Sequence, residues 1–461
     1  MSKSEPEKGT QSPLCVVNHR EHQCISKRAA SMRRGLAGLG KKQHALNPYN
    51  KETNREGIVG LAIAENTLTH DVIAKKLSMI QSTFRLSVEI LKNADAAGSK
   101  QFRETLAAFL TKYGGAVKPL NPDNLIIVNG GGSAVSMLST VLCDPGDAFL
   151  IPTPFYSGIE PDCGRLAQVE LVHADLTSQS GIGIQPFQLT VNTLEEGLLK
   201  AKKQGFIVRG IFLINPNNPL GDVYSKDLVM DCLIFAKSHK LHVIMDEIYM
   251  LSVFKEDVHF TSVMALEHLP DPDRTHMIWG FSKDFCMSGL RCACIYSWND
   301  QVASSLKTIA EFHSVPTYLQ SLLNEMILDK EWVTQIYIKL NHQRLKEFHS
   351  YMCKGLKDIG IKILEKPSGL FVWADFRQFI NPSTFEGEFN LYNEFLDNKV
   401  YLLPGEGLFC CEPGWFRIIF SVSKDEIDQA LERIATVINK RRSKEYIQSA
   451  ISEISSINPK T

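Results

Sequence analysis

The run IWGFSKDFCMSGLR, Ile278 to Arg291, places a lysine directly after a hydrophobic stretch and an arginine eight residues beyond it. A lysine at the mouth of a buried sheet loses hydration, which lowers its pKa and leaves a neutral amine able to condense with an aldehyde. The fork of Arg291 suits a phosphate, and Ser282 lies beside the amine. Four other short segments carry groups of the same kind. NGGGSA, Asn129 to Ala134, is a glycine turn whose backbone at Gly132 and hydroxyl at Ser133 could approach an anion at a helix start. TPFYSG sets Phe155 and Tyr156 where a ring could stack on a flat ligand. NPNNPLG holds Asn218 in a stiff loop, since each Asn-Pro step favours extended or turn geometry. MDEIY puts Asp246 at the edge of an apolar run, which is costly for a carboxylate unless a cation or donors await it, with Tyr249 three residues on. Each segment alone also reads more plainly, as a turn, a core aromatic, a helix cap or a snorkelling surface lysine.

These segments sit at the ends of short apolar runs. NLIIVNG, DAFLIPTP, GIFLINP, LHVIMDE and THMIWGFS are near-continuous apolar stretches separated by amphipathic segments such as SKDLVMDCLIFAKSHK. Runs of that kind predict strands buried on both faces, and their alternation with helices predicts an α/β fold with a mainly parallel sheet. Ligands in such sheets bind beyond the carboxyl ends of the strands, where all five segments fall. Phosphate turn, stacking ring, amide, aspartate, amine and arginine together are what pyridoxal phosphate requires. After about Pro316 a long helical stretch from Leu319 to Gly360 and short strands at GLFVWADF and WFRIIFSV predict a second, α+β lobe.

Size and composition agree with two lobes and tails. The chain has 461 residues, of which 44% are hydrophobic and 22% charged, an ordinary globular balance. A formal net charge of -1 gives no electrostatic case for a nucleic-acid or membrane partner. No apolar run is long enough to cross a bilayer, and MSKSEPEKGTQSPLC lacks the apolar core of a signal peptide, so a cytoplasmic protein is expected. The eleven cysteines are scattered without metal-ligand spacing, so no metal is expected. A basic patch, Lys27 to Lys42, reads as part of a solvated arm.

The ordered set NPxNPxG, DExY, SK with an arginine eight residues after the lysine, and a late FR resembles the fold-type I pyridoxal-phosphate family. That family includes the aminotransferases and 1-aminocyclopropane-1-carboxylate (ACC) synthase. Within it LAIAEN, SKDFCMSGLR and PGWFRIIF resemble the ACC synthase-like proteins of animals. The resemblance spans about residues 47 to 440 and implies a homodimer acting on α-amino acids, with the cofactor pyridoxal 5'-phosphate. It implies a segment joining the small domain over 46–80, a large cofactor domain over 81–315 and a small domain over 316–440, while composition reads 1–45 as a flexible arm and 441–461 as a tail. The large domain would carry a sheet of seven-stranded type.

By the same resemblance Lys283 binds the cofactor aldehyde and moves the substrate Cα proton. Asp246 pairs with the ring nitrogen, Asn218 and Tyr249 bond the phenolic oxygen, and Tyr156 stacks on the ring. Gly132, Ser133, Ser282 and Arg291 hold the phosphate, Arg417 grips the substrate carboxylate, and Glu65 lies near the substrate. Two positions depart from the plant enzymes. Ala96 stands where their tyrosine reaches the neighbouring cofactor, and Gly280 stands where a phosphate-holding serine precedes the lysine. Three readings stay open: a transaminase or related amino-acid enzyme, an ACC synthase acting on S-adenosylmethionine, and a catalytically silent binding or scaffold protein of the same fold.

Overall fold

The structure, a computed structural model, describes Ala29 and residues 38–457, apart from 86, 180, 182 and 184. The expected arm over 1–45 lies largely outside the described residues, as does most of the basic patch. Its end forms the helix Gly38–Leu46.

Strand β1 (Val59–Gly60) precedes a seven-stranded sheet. The sheet comprises β2 (Leu125–Val128), β3 (Ala148–Thr153), β4 (Glu170–Asp175), β5 (Val208–Ile214), β6 (His242–Asp246), β7 (Thr275–Gly280) and β8 (Ala293–Ser297). Their spatial order is β2-β8-β7-β6-β5-β3-β4. Only β8 runs against its neighbours, pairing antiparallel with β2 and β7, and the other pairs are parallel. Alternate side chains of each strand enter two separate cores. Ile211, Leu213, Val243 and Met245 pack on one face, and Phe212, Ile214 and Ile244 on the other. Helices cover both faces, with Leu194 and Leu233 of Val191–Lys203 and Lys226–Ser238 on the first, and Leu138 and Leu306 of Gly131–Leu142 and Asp300–Ile309 on the second. Burial on both faces is why these strands read as unbroken apolar runs.

A four-stranded antiparallel sheet follows, from β9 (Lys362–Leu364), β10 (Phe371–Asp375), β12 (Leu403–Pro404) and β13 (Trp415–Ile419), in the order β12-β13-β10-β9. Between β10 and β12 lies β11 (Val400–Tyr401), which pairs in parallel with β1 and ties the N-terminal segment to this sheet. The helical stretch expected from Leu319 is not one helix. Thr317–Leu328 ends at Asp329, a π-helical turn occupies Trp332–Ile338, and Lys339–Asp358 completes it. Asp329 causes the break, because its carboxylate accepts from Trp332 N at 2.9 Å and from Lys76 Nζ at 2.6 Å, capping a new helix start. The closing helix is Lys424–Ile457. Among the described residues no helix is long and apolar enough to cross a membrane.

Candidate active site

Beyond the carboxyl ends of the parallel strands lies a cavity of about 470 Å³. Lys283 reaches it from the short helix Phe281–Asp284 that follows β7. The neighbouring Asp284 anchors that turn: its carboxylate accepts from Trp279 Nε1 (2.8 Å), Leu251 N (2.9 Å) and Ser252 Oγ (2.8 Å). The Lys283 ammonium donates to the Ala64 carbonyl at 2.5 Å. Burial pushes its pKa down to about 8, and the positive charge of Arg417 acts the same way, against the opposing pull of Glu65 and Asp246. The amine is thus far closer to neutrality at physiological pH than a surface lysine.

Asp246 closes β6, in register with Ile214 of β5 and Ile278 of β7, so its carboxylate emerges in the middle of the sheet edge. It accepts one backbone bond, from Ile248 N at 3.2 Å. Burial pushes it up to about 7, with that bond and Lys283 opposing. Such a carboxylate is poised to pair with a cation delivered into the cavity.

Arg417 sits in β13, opposite Trp373 of β10 and Leu403 of β12, and is 2% exposed. It donates to Asn218 Oδ1 at 2.8 Å and to the Ala62 carbonyl at 2.6 Å, and lies over the Phe371 ring at 5.5 Å. Its Nε is buried without a hydrogen-bond partner. Asn218 also faces the Tyr249 hydroxyl at 3.5 Å. The Asn218 loop is pinned from within, since Asn217 Oδ1 accepts from Leu220 N at 3.0 Å and Asn215 Oδ1 from Tyr224 N at 2.9 Å.

The glycine turn forms the far end. Gly130 adopts φ +118°, a conformation natural to glycine, and a Cβ there would lie 2.2 Å from Arg291 Nη2. A Cβ on Gly132 would lie 2.7 Å from Asp162 Oδ2, whereas one on Gly131 would meet nothing within 4 Å. The turn thus presents open space at Gly131 at the start of the helix Gly131–Leu142, with a guanidinium on one side, a geometry suited to cradling an anion. Ser282 lines it, and Arg291 reaches it from a left-handed residue whose Nη1 donates to Ser288 O at 2.9 Å.

Of the residues singled out from sequence, Glu65, Gly132, Tyr156, Asn218, Asp246, Tyr249, Ser282, Lys283, Arg291 and Arg417 all line this cavity. Ser133 does not: its hydroxyl donates to Asn129 Oδ1 instead. Of the two aromatics after β3, Tyr156 faces the cavity, and Phe155 is buried and stacked on Phe409 at 4.7 Å. Gly280 has a packing reason, since a Cβ would lie 2.8 Å from Ala293 Cβ and 3.0 Å from the Cys292 carbonyl. Sequence reasoning missed Asp162, Lys41, Arg165 and Tyr401, which also line the site. It missed too the carbonyls of Ala62 and Ala64, which no residue type advertises.

A mainly parallel sheet with a lysine, an aspartate and an anion cradle along one edge defines the fold-type I class. Its architecture matches an aspartate aminotransferase from Thermus thermophilus solved with maleate, at TM-score 0.74 and 20% identity, covering 90% of this chain and 100% of that one. The chain belongs to the aminotransferase class I and II family, whose model matches residues 56–434. Within it, human 1-aminocyclopropane-1-carboxylate synthase-like protein 1 is 41% identical over 87% of this chain and 80% of its own length. A mouse relative, named "Probable inactive 1-aminocyclopropane-1-carboxylate synthase-like protein 2", is 42% identical over 91% of this chain and 73% of its own length.

Proposed function

We propose that this chain binds pyridoxal 5'-phosphate at Lys283 and catalyses proton transfer on α-amino acids, of the kind that ends in transamination. The observation that carries the reading is the meeting of a buried, pKa-lowered amine with Asp246 and Arg417 in one cavity. The residues fit the cofactor on their own chemistry: an anion cradle at Gly131, a carboxylate placed for a ring nitrogen, an amide and a phenol side by side, and a buried Arg417 Nε awaiting an acceptor. When bound, the cofactor supplies an aldehyde for amines and a ring that accepts the electron pair left by Cα deprotonation.

The chain's own part follows from position. Gly132, Ser282 and Arg291 hold the phosphate, with Ser133 contributing its place in the first helical turn. Tyr156 covers one face of the ring, Asp246 holds a proton at the ring nitrogen, and Asn218 with Tyr249 bonds the phenolic oxygen. Arg417 binds the substrate carboxylate and fixes the Cα–H bond toward Lys283, whose amine removes the proton. Glu65 stands at the substrate end. A homodimer is part of this reading, supported by the family, as is the division into large and small domains at about residue 316.

The silent-protein reading is favoured by one observation, the relative whose name calls it inactive. Product analysis separates the readings, using cofactor-loaded protein against a panel of amino acids with 2-oxo acids and against S-adenosylmethionine, with Lys283→Ala as blank. Amino-group exchange that requires Lys283 supports the transaminase reading. ACC with methylthioadenosine replaces it by the synthase, and silence on both arms leaves the binding protein.

A further inference from the structure

One group at the anion cradle has the wrong sign. Asp162, on the short helix Ile159–Gly164, lines the cavity and sets Oδ2 2.7 Å, Cγ 3.1 Å and Oδ1 3.2 Å from where a Gly132 Cβ would be. A carboxylate therefore lies against the same turn that offers its open face at Gly131. The charged and titratable groups around it are Arg165 and Glu160 at the ends of its own helix, Cys163 beside it, Arg291 across the glycine turn, and Tyr156 from the loop after β3. Two guanidiniums favour the charged carboxylate, yet burial outweighs them. A dianion delivered to the cradle would add repulsion to a carboxylate that burial already disfavours.

We propose that Asp162 takes up a proton from solvent when a phosphate group occupies the cradle, and that the resulting acid donates its O–H to that phosphate. This deepens the reading above and rests on it for the identity of the phosphate carrier. The balance is simple: carboxylate, solvent proton and phosphate become carboxylic acid hydrogen-bonded to phosphate, with no bond to carbon made or broken. Asp162 is then a cofactor-positioning residue that makes phosphate affinity fall as pH rises.

The test is calorimetric titration of the full chain at pH 7.5 with pyridoxal phosphate and with inorganic phosphate, each in two buffers of different ionisation enthalpy. Burial places the free Asp162 carboxyl at about 6, so it is ionised at that pH. Wild type should take up about one proton more per bound phosphate than Asp162→Asn, whose amide donates without titrating. The affinity ratio of variant to wild type should grow toward about tenfold for each pH unit above 6. Pyridoxal without its phosphate should show no difference between the two proteins. Equal proton uptake in both, or a variant weaker at every pH, overturns the proposal. So does uptake near zero in wild type, a result that needs no variant to fold, and so does failure of inorganic phosphate to bind. Linked uptake with inorganic phosphate in a chain that never holds pyridoxal phosphate on Lys283 would sink the proposed function and leave this inference standing.

Discussion

Arg417→Lys keeps the charge and removes the fork, which makes it the sharpest test of how the substrate end is built. The guanidinium bonds Asn218 Oδ1 and the Ala62 carbonyl, two acceptors on segments far apart in the chain, while Nε stays unpaired. An ammonium on a lysine stem reaches one of those acceptors. Losing one charge-assisted bond costs about 1.5–3 kcal/mol of folding stability, and urea unfolding should show that drop without a change in slope. In the proposed role of Arg417 the same loss would fall on the substrate carboxylate, so amino-acid affinity should weaken ~10- to 100-fold. The assay is titration of the cofactor-loaded protein with an amino acid and with its α-amide. Because the amide lacks the carboxylate, the variant should bind it about as wild type does. Equal weakening for acid and amide, or no weakening for the acid, would refute the role given to Arg417.

Three further outcomes follow from the geometry. Gly130→Ala forces a side chain into φ +118° and onto Arg291, so it should cost ~1–3 kcal/mol of stability. Gly131→Ala meets open space, so thermal melting should barely move while pyridoxal-phosphate affinity falls; a shared stability loss would contradict the cradle. Asp246 has a folded pKa of about 7 against an ordinary 3.8, so the linkage sign is that of a raised acid: its contribution is intact at low pH and lost as pH rises through 7. Asp246→Asn should therefore melt higher than wild type at pH 8 in the cofactor-free protein, equal it near pH 4, and hold the cofactor less well. The Lys283 amine, at about 8, should react with pyridoxal phosphate at a rate that climbs steeply from pH 6 and flattens above 8. A rate still climbing at pH 10 would mark an ordinary surface lysine.

The groups that could be read from sequence are those whose chemistry sits in the side chain at a strand end. Lys283, Asp246 and Asn218 stand out only as a set, because each falls at or just beyond the end of a buried run and the sheet brings those ends to one cavity. Strand β8, by contrast, follows the lysine motif so closely that its run merges with a loop, and β4 lies at the sheet edge with only two of its six residues buried. Asp162 carries no local signal at all, for its importance comes from the approach of a helix to Gly132. Ser133 shows the opposite failure: the right residue type at a helix start turns its hydroxyl to the side-chain amide oxygen of Asn129, which lies just ahead of the helix. Gly280 reads as a lost contact in sequence, but the nearness of Ala293 on β8 and of the Cys292 carbonyl just before it leaves no room for a serine there.

Everything proposed for this site depends on Lys283 being the residue that holds the cofactor. Borohydride reduction of the pyridoxal-phosphate-loaded chain, followed by protease digestion and mass mapping, tests it directly. A phosphopyridoxyl group is expected on Lys283 at near one per chain, and its loss in Lys283→Ala. Attachment spread over exposed lysines, or persistence in the variant, would contradict it.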